Sequence, residues 1–163
     1  MKKRIGIGIA LATIALLSIS VRVSAAEPIA IATVETNWDG ISLDVMALER
    51  KGSVLTLKWA VQNDGEEATA VQFSLTGKHV RTYVVDEESG TKYYVLTDKE
   101  GHAVASSHTY ISSDASGIEL KAAAGKSSRL WMKLPAPPPE VKIVTLFFDE
   151  AVEPLEDVPI TDK

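Results

Sequence analysis

Catalysis and metal binding need polar groups that converge, and few residues of this chain are spaced for it. There are three histidines, His79, His102 and His108, and no cysteine. No two are set as His-Glu-x-x-His or four apart on a helix, the spacings that aim two imidazoles at one metal. His102 and His108 lie close in the chain, so a two-histidine site with nearby acids is conceivable, yet their setting reads as surface loop. Ser89-Gly90-Thr91-Lys92 fits Ser-x-x-Lys, in which a lysine activates a serine nucleophile at the start of a buried helix. Here it falls in a hairpin turn, and the Lys-Thr-Gly and Ser-Asp-Asn partner motifs do not occur in the sequence. Past residue 26 there is no Gly-x-Ser-x-Gly, phosphate loop or dinucleotide fingerprint either. The chemistry points away from an enzyme and away from a resident cofactor or metal.

Binding offers more. Acids gather in three turns, Asp64-Glu66-Glu67, Asp86-Glu87-Glu88 and Asp98-Glu100. If these turns meet at one end of the fold they offer oxygen ligands to Ca²⁺, a hard cation. The spacing is not that of an EF-hand, and the simpler role of such acids is solubility. Paired carboxylates for glycoside hydrolysis need a deep cleft, of which the sequence gives no sign. Trp38 sits in a loop beside Asn37 and Asp39, where an exposed indole stacks on a sugar or anchors a partner, unless it packs over the end of the fold. The candidate ligand contacts are therefore Trp38, Asp64, Glu66, Asp86 and Glu87.

The elements that must position these residues read as strands. In residues 53–63, Leu55, Leu57, Trp59 and Val61 alternate with polar side chains, the period of a half-buried strand. Trp59 reads as core. Residues 41–49 place Ile41, Leu43, Val45 and Ala47 on one face, and Arg50-Lys51-Gly52 closes a hairpin between the two. Residues 68–75 align Thr69, Val71, Phe73 and Leu75. Residues 80–86 and 91–98 flank the turn Glu87–Gly90, and 102–107 return from Asp98–Gly101. Residues 108–117 read as irregular loop, and 117–125 as strand and turn. Residues 127–135 set Leu130, Met132 and Leu134 against Arg129, Trp131 and Lys133. Pro135, Pro137, Pro138 and Pro139 interrupt the sheet because proline donates no ladder hydrogen bond. Residues 141–149 are apolar on both faces towards their end, as in a central strand. Short strands at turn spacings of 8–12 residues, without a helical pattern, predict an all-β antiparallel sandwich, with the immunoglobulin-like arrangement preferred. Residues 27–40 read as a lead-in strand and loop, 41–149 as the sandwich, and 150–163 as an acidic tail.

The first 26 residues have the layout of a secretory signal: Lys2-Lys3-Arg4, an uncharged run over 5–21, and Ser24-Ala25-Ala26 at the cut. Cleavage after Ala25 or Ala26 fits the small residues, with Ala26 preferred. Removal takes away Lys2, Lys3, Arg4 and Arg22 but no acid. The net charge moves from −5 to −9, with 13 basic and 22 acidic residues left. That sign repels phosphate backbones and anionic lipid and so argues against nucleic-acid binding. The apolar fraction of 45% excludes a disordered chain. Without cysteine the core stabilises the fold unaided, even in an exporting compartment that tolerates disulfides.

The stretches SLDVMALERKGSVLTLKWAVQNDGEEAT, VVDEESGTKYYVLTD and AAGKSSRLWMKLPAPPPEVKIVTLFF, with the ending PLEDVPI, resemble a loose family of uncharacterised exported bacterial β-sandwich domains. The resemblance covers residues 41–160, with Trp-x-Val-x-Asn-Asp-Gly and the proline-rich run as its motifs. Some relatives precede an OmpA-like peptidoglycan-binding domain, and some carry cysteines where this chain has Ala103-Val104-Ala105-Ser106. This sequence includes neither feature, so the resemblance implies no cell-wall attachment and no disulfide there, and it carries no catalytic residue. Taken with the absence of catalytic motifs and the signal, the expectation is a non-catalytic periplasmic or extracellular module that binds an exported or envelope protein or another envelope component. The alternative is a small-ligand module for carbohydrate or calcium.

Overall fold

Alternating apolar residues become strands wherever one face is covered, and twelve form in the computed structural model, which describes residues 29–77, 80–106, 109–112 and 115–163. Residues 1–26, expected from the sequence to be a secretory signal, and His79 and His108 lie outside those residues. The strands are β1 (Ala32–Glu35), β2 (Ile41–Lys51), β3 (Val54–Asn63), β4 (Thr69–Ser74), β5 (Tyr83–Asp86) and β6 (Thr91–Tyr94). They continue as β7 (Thr109–Ser112), β8 (Ala115–Ala122), β9 (Lys126–Pro135), β10 (Ile143–Phe147), β11 (Leu155–Pro159) and β12 (Thr161–Asp162). One sheet runs β1-β2-β3-β9, with β12 also on β2. A second runs β11-β10-β5-β6, and a third β4-β8-β7. All pairings are antiparallel except β12 on β2. The chain is thus the all-β sandwich its periodicity predicts.

The core lies between the layers. Leu55, Leu57, Trp59 and Val61 of β3 are fully buried, as are Val71, Phe73 and Leu75 of the β4 segment and Met132 and Leu134 of β9. Trp59, Phe73 and Phe148 meet at its centre, with ring centroids 5.6–6.0 Å apart, spacings that add to plain area burial. β10 is central in its sheet, paired by β5 and β11.

Four expectations change. Ala47 was grouped with Ile41, Leu43 and Val45, but a bulge leaves Met46 without a partner: Val45 faces Trp59 and Ala47 faces Lys58. The extra residue switches the parity, so Leu48 and Arg50 turn inward instead. Residues 102–106 form no regular strand, only bridges of Ala103 to Thr97 and Ala105 to Met132. Residues 108–117 hold β7 and the start of β8, because Ser, Thr and Gly accept strand dihedrals once a neighbour supplies the ladder. Residues 150–163 are no free tail: β11 and β12 join the sheets, and Leu155, Val158 and Ile160 enter the core.

Arg50 explains how the C-terminal strands are held. Its side chain is 4% exposed, yet its guanidinium donates to the carbonyls of Pro137 (3.1 Å), Pro138 (2.6 Å) and Pro139 (3.2 Å) and to Asp162 (2.6 Å). Prolines lack N–H groups but keep their carbonyls, and a planar cation with five donors gathers several at once. The Arg50 guanidinium, and after it the Lys142 ammonium, push the Asp162 carboxyl down to about 2.

Candidate functional site

The Trp-x-Val-x-Asn-Asp-Gly motif is a turn lock. Asn63 is buried; its amide donates to Glu67 O (2.9 Å) and Ala122 O (2.8 Å), and its Oδ1 accepts from Gly65 N (2.9 Å). Gly40 presses against this turn at φ +69°, where an added Cβ would stand 2.8 Å from Gly65 N. Only glycine fits so close to backbone at that dihedral. Trp38 packs edge-on to Phe73 at 5.7 Å and is half-buried, so it covers the end of the core.

The candidate ligand contacts do not meet. Trp38, Asp64 and Glu66 stand at the Ile41 end of β2, where Asp64 N bonds to Gly40 O. Asp86 and Glu87 border a hollow with Glu140, Lys142 and Asp157. That hollow lies at the other end of β2, since Lys142 reaches the same Asp162 that Arg50 holds. An eleven-residue strand separates the two groups by roughly 30 Å. Asp86 is occupied locally: it is buried, accepts from Ser89 Oγ at 2.5 Å and from Glu88 N at 3.2 Å, and so closes its own turn. Among the described residues no three His, Asp or Glu are grouped to hold a metal ion.

The Ser-x-x-Lys match dissolves in the same hairpin. Ser89 serves the Asp86 turn, while Lys92 Nζ lies 4.7 Å from the centre of the Tyr83 ring, a cation–π contact. Tyr83 stacks on Phe147 at 4.8 Å and tilts against Tyr94 at 5.5 Å, a row of three rings across β6, β5 and β10. His102 sits 3.3 Å from Asp98 in its turn. The Asp98 carboxyl is held below the usual range, chiefly by accepting the His102 backbone N–H.

The feature that sequence reasoning passed over is on the outer face of β2, β3 and β9. Met46, Glu49, Thr56, Lys58, Arg129, Trp131 and Lys133 line an open groove of about 690 Å³ there. Trp131 is 39% exposed, whereas the strand tryptophan Trp59 is fully buried; among the described strand aromatics Tyr94, on the other sheet, is also exposed. It lies directly across from Lys58, with Arg129 and Lys133 two residues to either side on β9. Lys58 and Lys163 both bond the groove's acid, Glu49, at 2.9 and 2.6 Å. Those two lysines, Lys163 first, hold the Glu49 carboxyl below its usual range. Among the described residues neither Arg129 nor Lys133 has a side-chain hydrogen bond or ion pair. The alternation Arg129-Leu130-Trp131-Met132-Lys133 was legible; what could have flagged it is a tryptophan on the charged side of a strand.

The edges beside this face are covered along β2 and, on β9, at Trp131 to Lys133. β1 and β12 share the free side of β2, and Lys163 N bonds Arg50 O at 3.0 Å. Along β9, Ser106 N bonds Trp131 O (2.8 Å), Lys133 N bonds Val104 O (2.9 Å), and Leu96 N bonds Lys133 O (2.8 Å). Covering an edge in this way removes it as a template for another strand. No helix among the described residues is long and apolar enough to cross a membrane. No family model matches the chain, and comparison with curated proteins and with solved structures finds no similar protein.

Proposed function

We propose that this chain is a non-catalytic binding module, exported from the cytoplasm, that takes up a protein of the exported or envelope fraction on the outer face of its β2-β3-β9 sheet. The observation that carries this is Trp131: an indole held in the open, in a groove, between Arg129 and Lys133, neither of which has a side-chain hydrogen bond or ion pair among the described residues. Tryptophan and arginine dominate the energetics of binding surfaces, because both give large contact area and directional hydrogen bonds. A sheet-edge mode is less favoured, since β1, β12 and residues 96–106 occupy the edges of this sheet. The calcium or carbohydrate alternative lacks the shared end on which its five residues depended.

The test is capture from solubilised envelope with the exported protein as bait. Trp131→Ala should lose a stoichiometric prey, and Tyr94→Ala on the opposite sheet should keep it. Prey retained in full by Trp131→Ala would overturn the assignment. The export step is checked by intact mass, where a secreted protein still carrying residues 1–26 would contradict it.

A further inference from the structure

Resting on that reading of the groove, we infer that its occupant is an acidic, extended polypeptide segment lying along β9, with an apolar side chain on Trp131 and acids two residues to either side. Three observations lead there. The first is charge. Lys58, Arg129, Lys133 and Lys163 stand against Glu49 in and beside the groove. With Asp44, which shares the neighbouring hollow with Met46 and Arg129, also counted, the local excess is two positive charges, in a chain that is otherwise acidic. Glu49 is already bonded to two lysines, so the unspent charge is that of Arg129 and Lys133. Complementary charge selects an anionic partner and speeds its approach.

The second is spacing. Side chains on one face of a strand repeat about every 6.7 Å. Arg129, Trp131 and Lys133 therefore form a row of cation, ring and cation about 13 Å long. An extended peptide has the same repeat, so residues i, i+2 and i+4 of a guest reach the three positions in turn. The third is the state of the edge. The backbone groups of Trp131 and Lys133 that point sideways already bond to Ser106, Val104 and Leu96. A guest must then be read by side chains on the face and not by added ladder hydrogen bonds, unlike strand addition.

The experiment follows the three indole N–H resonances (Trp38, Trp59 and Trp131) of ¹⁵N-labelled protein as probes are added. One probe is the capped peptide Ser-Gly-Glu-Ser-Phe-Ser-Glu-Gly-Ser. A second has the same composition rearranged as Ser-Phe-Gly-Ser-Glu-Glu-Ser-Gly-Ser. The third is polygalacturonate, an acidic polysaccharide. The alternating peptide should shift Trp131 alone, saturably, and at least about fivefold more tightly than the rearranged one, with affinity falling as salt rises. Arg129→Ala and Lys133→Ala should each weaken it about twofold to fivefold, the scale of an exposed ion pair. Unmoved Trp38 and Trp59 signals report that these variants keep the fold.

Equal affinity for the two peptides would overturn the register. Binding of polygalacturonate with neither peptide would overturn the polypeptide while leaving the groove as the binding surface. Concentration-dependent broadening of Trp131 without any probe would assign the groove to a second copy and overturn it as well. No response to any probe would also reject the inference. The envelope capture with Trp131→Ala would then decide separately whether the groove is a binding surface.

Discussion

Replacing Asn63 by alanine removes three hydrogen bonds from one buried side chain, and the structure sets the size of the loss. The bond to Ala122 O is buried, while those to Glu67 O and from Gly65 N are partly so. A typical intramolecular hydrogen bond contributes about 1 kcal/mol net, and a buried group left without a partner costs about 1–3 kcal/mol. Two bonds at the lower figure and one orphaned carbonyl give about 3–5 kcal/mol. Aspartate should be worse, because a carboxylate in place of the amide nitrogen turns two attractive contacts with carbonyls repulsive. Asn37→Ala is the control: Asn37 is exposed and should cost under about 0.5 kcal/mol. Urea unfolding followed by tryptophan fluorescence reads all three variants from midpoints at constant slope. A loss below about 1 kcal/mol for Asn63→Ala, or a milder effect for aspartate than for alanine, would refute the turn-lock account.

Trp59 is fully buried and its Nε1–H has no hydrogen-bond partner among the described residues. Trp59→Phe drops that orphan donor while opening some space, so it should cost about 1–2 kcal/mol against about 3–5 for Phe73→Ala, and equal costs in urea would count against this. Glu49 and Asp162 have carboxyls held below their ordinary values of 4.5 and 3.8. Their contribution is whole above those values and fades as pH falls towards about 2, so urea midpoints should drop across that window. Asp162→Asn should flatten the drop; an unchanged profile would show that the latch does not titrate. Deleting Met46 removes the unpaired residue yet leaves Leu48 and Arg50 inward, so the protein should fold within about 1.5 kcal/mol of the parent while groove binding weakens. An unfolded product in circular dichroism would refute that.

The parts of the fold legible in the sequence were those where one period runs uninterrupted. β3 and β9 alternate without a break, and their buried rows are the ones expected. β2 misled because a bulge carries no strong local signal: Met46 and Ala47 are both acceptable on either face. β7 and the first residues of β8 were hidden by composition, since serine, threonine and glycine are common in loops and become strand only when a neighbouring strand offers a partner. β11 and β12 were hidden by charge. Acids at Glu156, Asp157 and Asp162 suggested a solvated tail, but Leu155, Val158 and Ile160 bury beneath them. The acidic turns were found correctly as turns. Their grouping into a site failed because strand direction, which sends Asp64 and Asp86 to opposite ends, is a property of the pairing and not of the residues.

One inserted residue links the two features that matter most. With strict alternation after Val45, Ala47 and Glu49 would face the core and Arg50 would face solvent. The extra residue at Met46 reverses this and so does two things at once. It sends Arg50 inward to gather the proline carbonyls and Asp162, which seats β12 against the edge of β2. It also turns Ala47 and Glu49 outward, where with Met46 they form the far wall of the Trp131 groove. Lys163 then crosses from the seated strand to Glu49 and neutralises that wall's acid. Bulges bend a strand and re-aim its side chains; here that re-aiming couples the latch of the C-terminal strands to the charge of the proposed binding face. The groove is positive because the latch is closed.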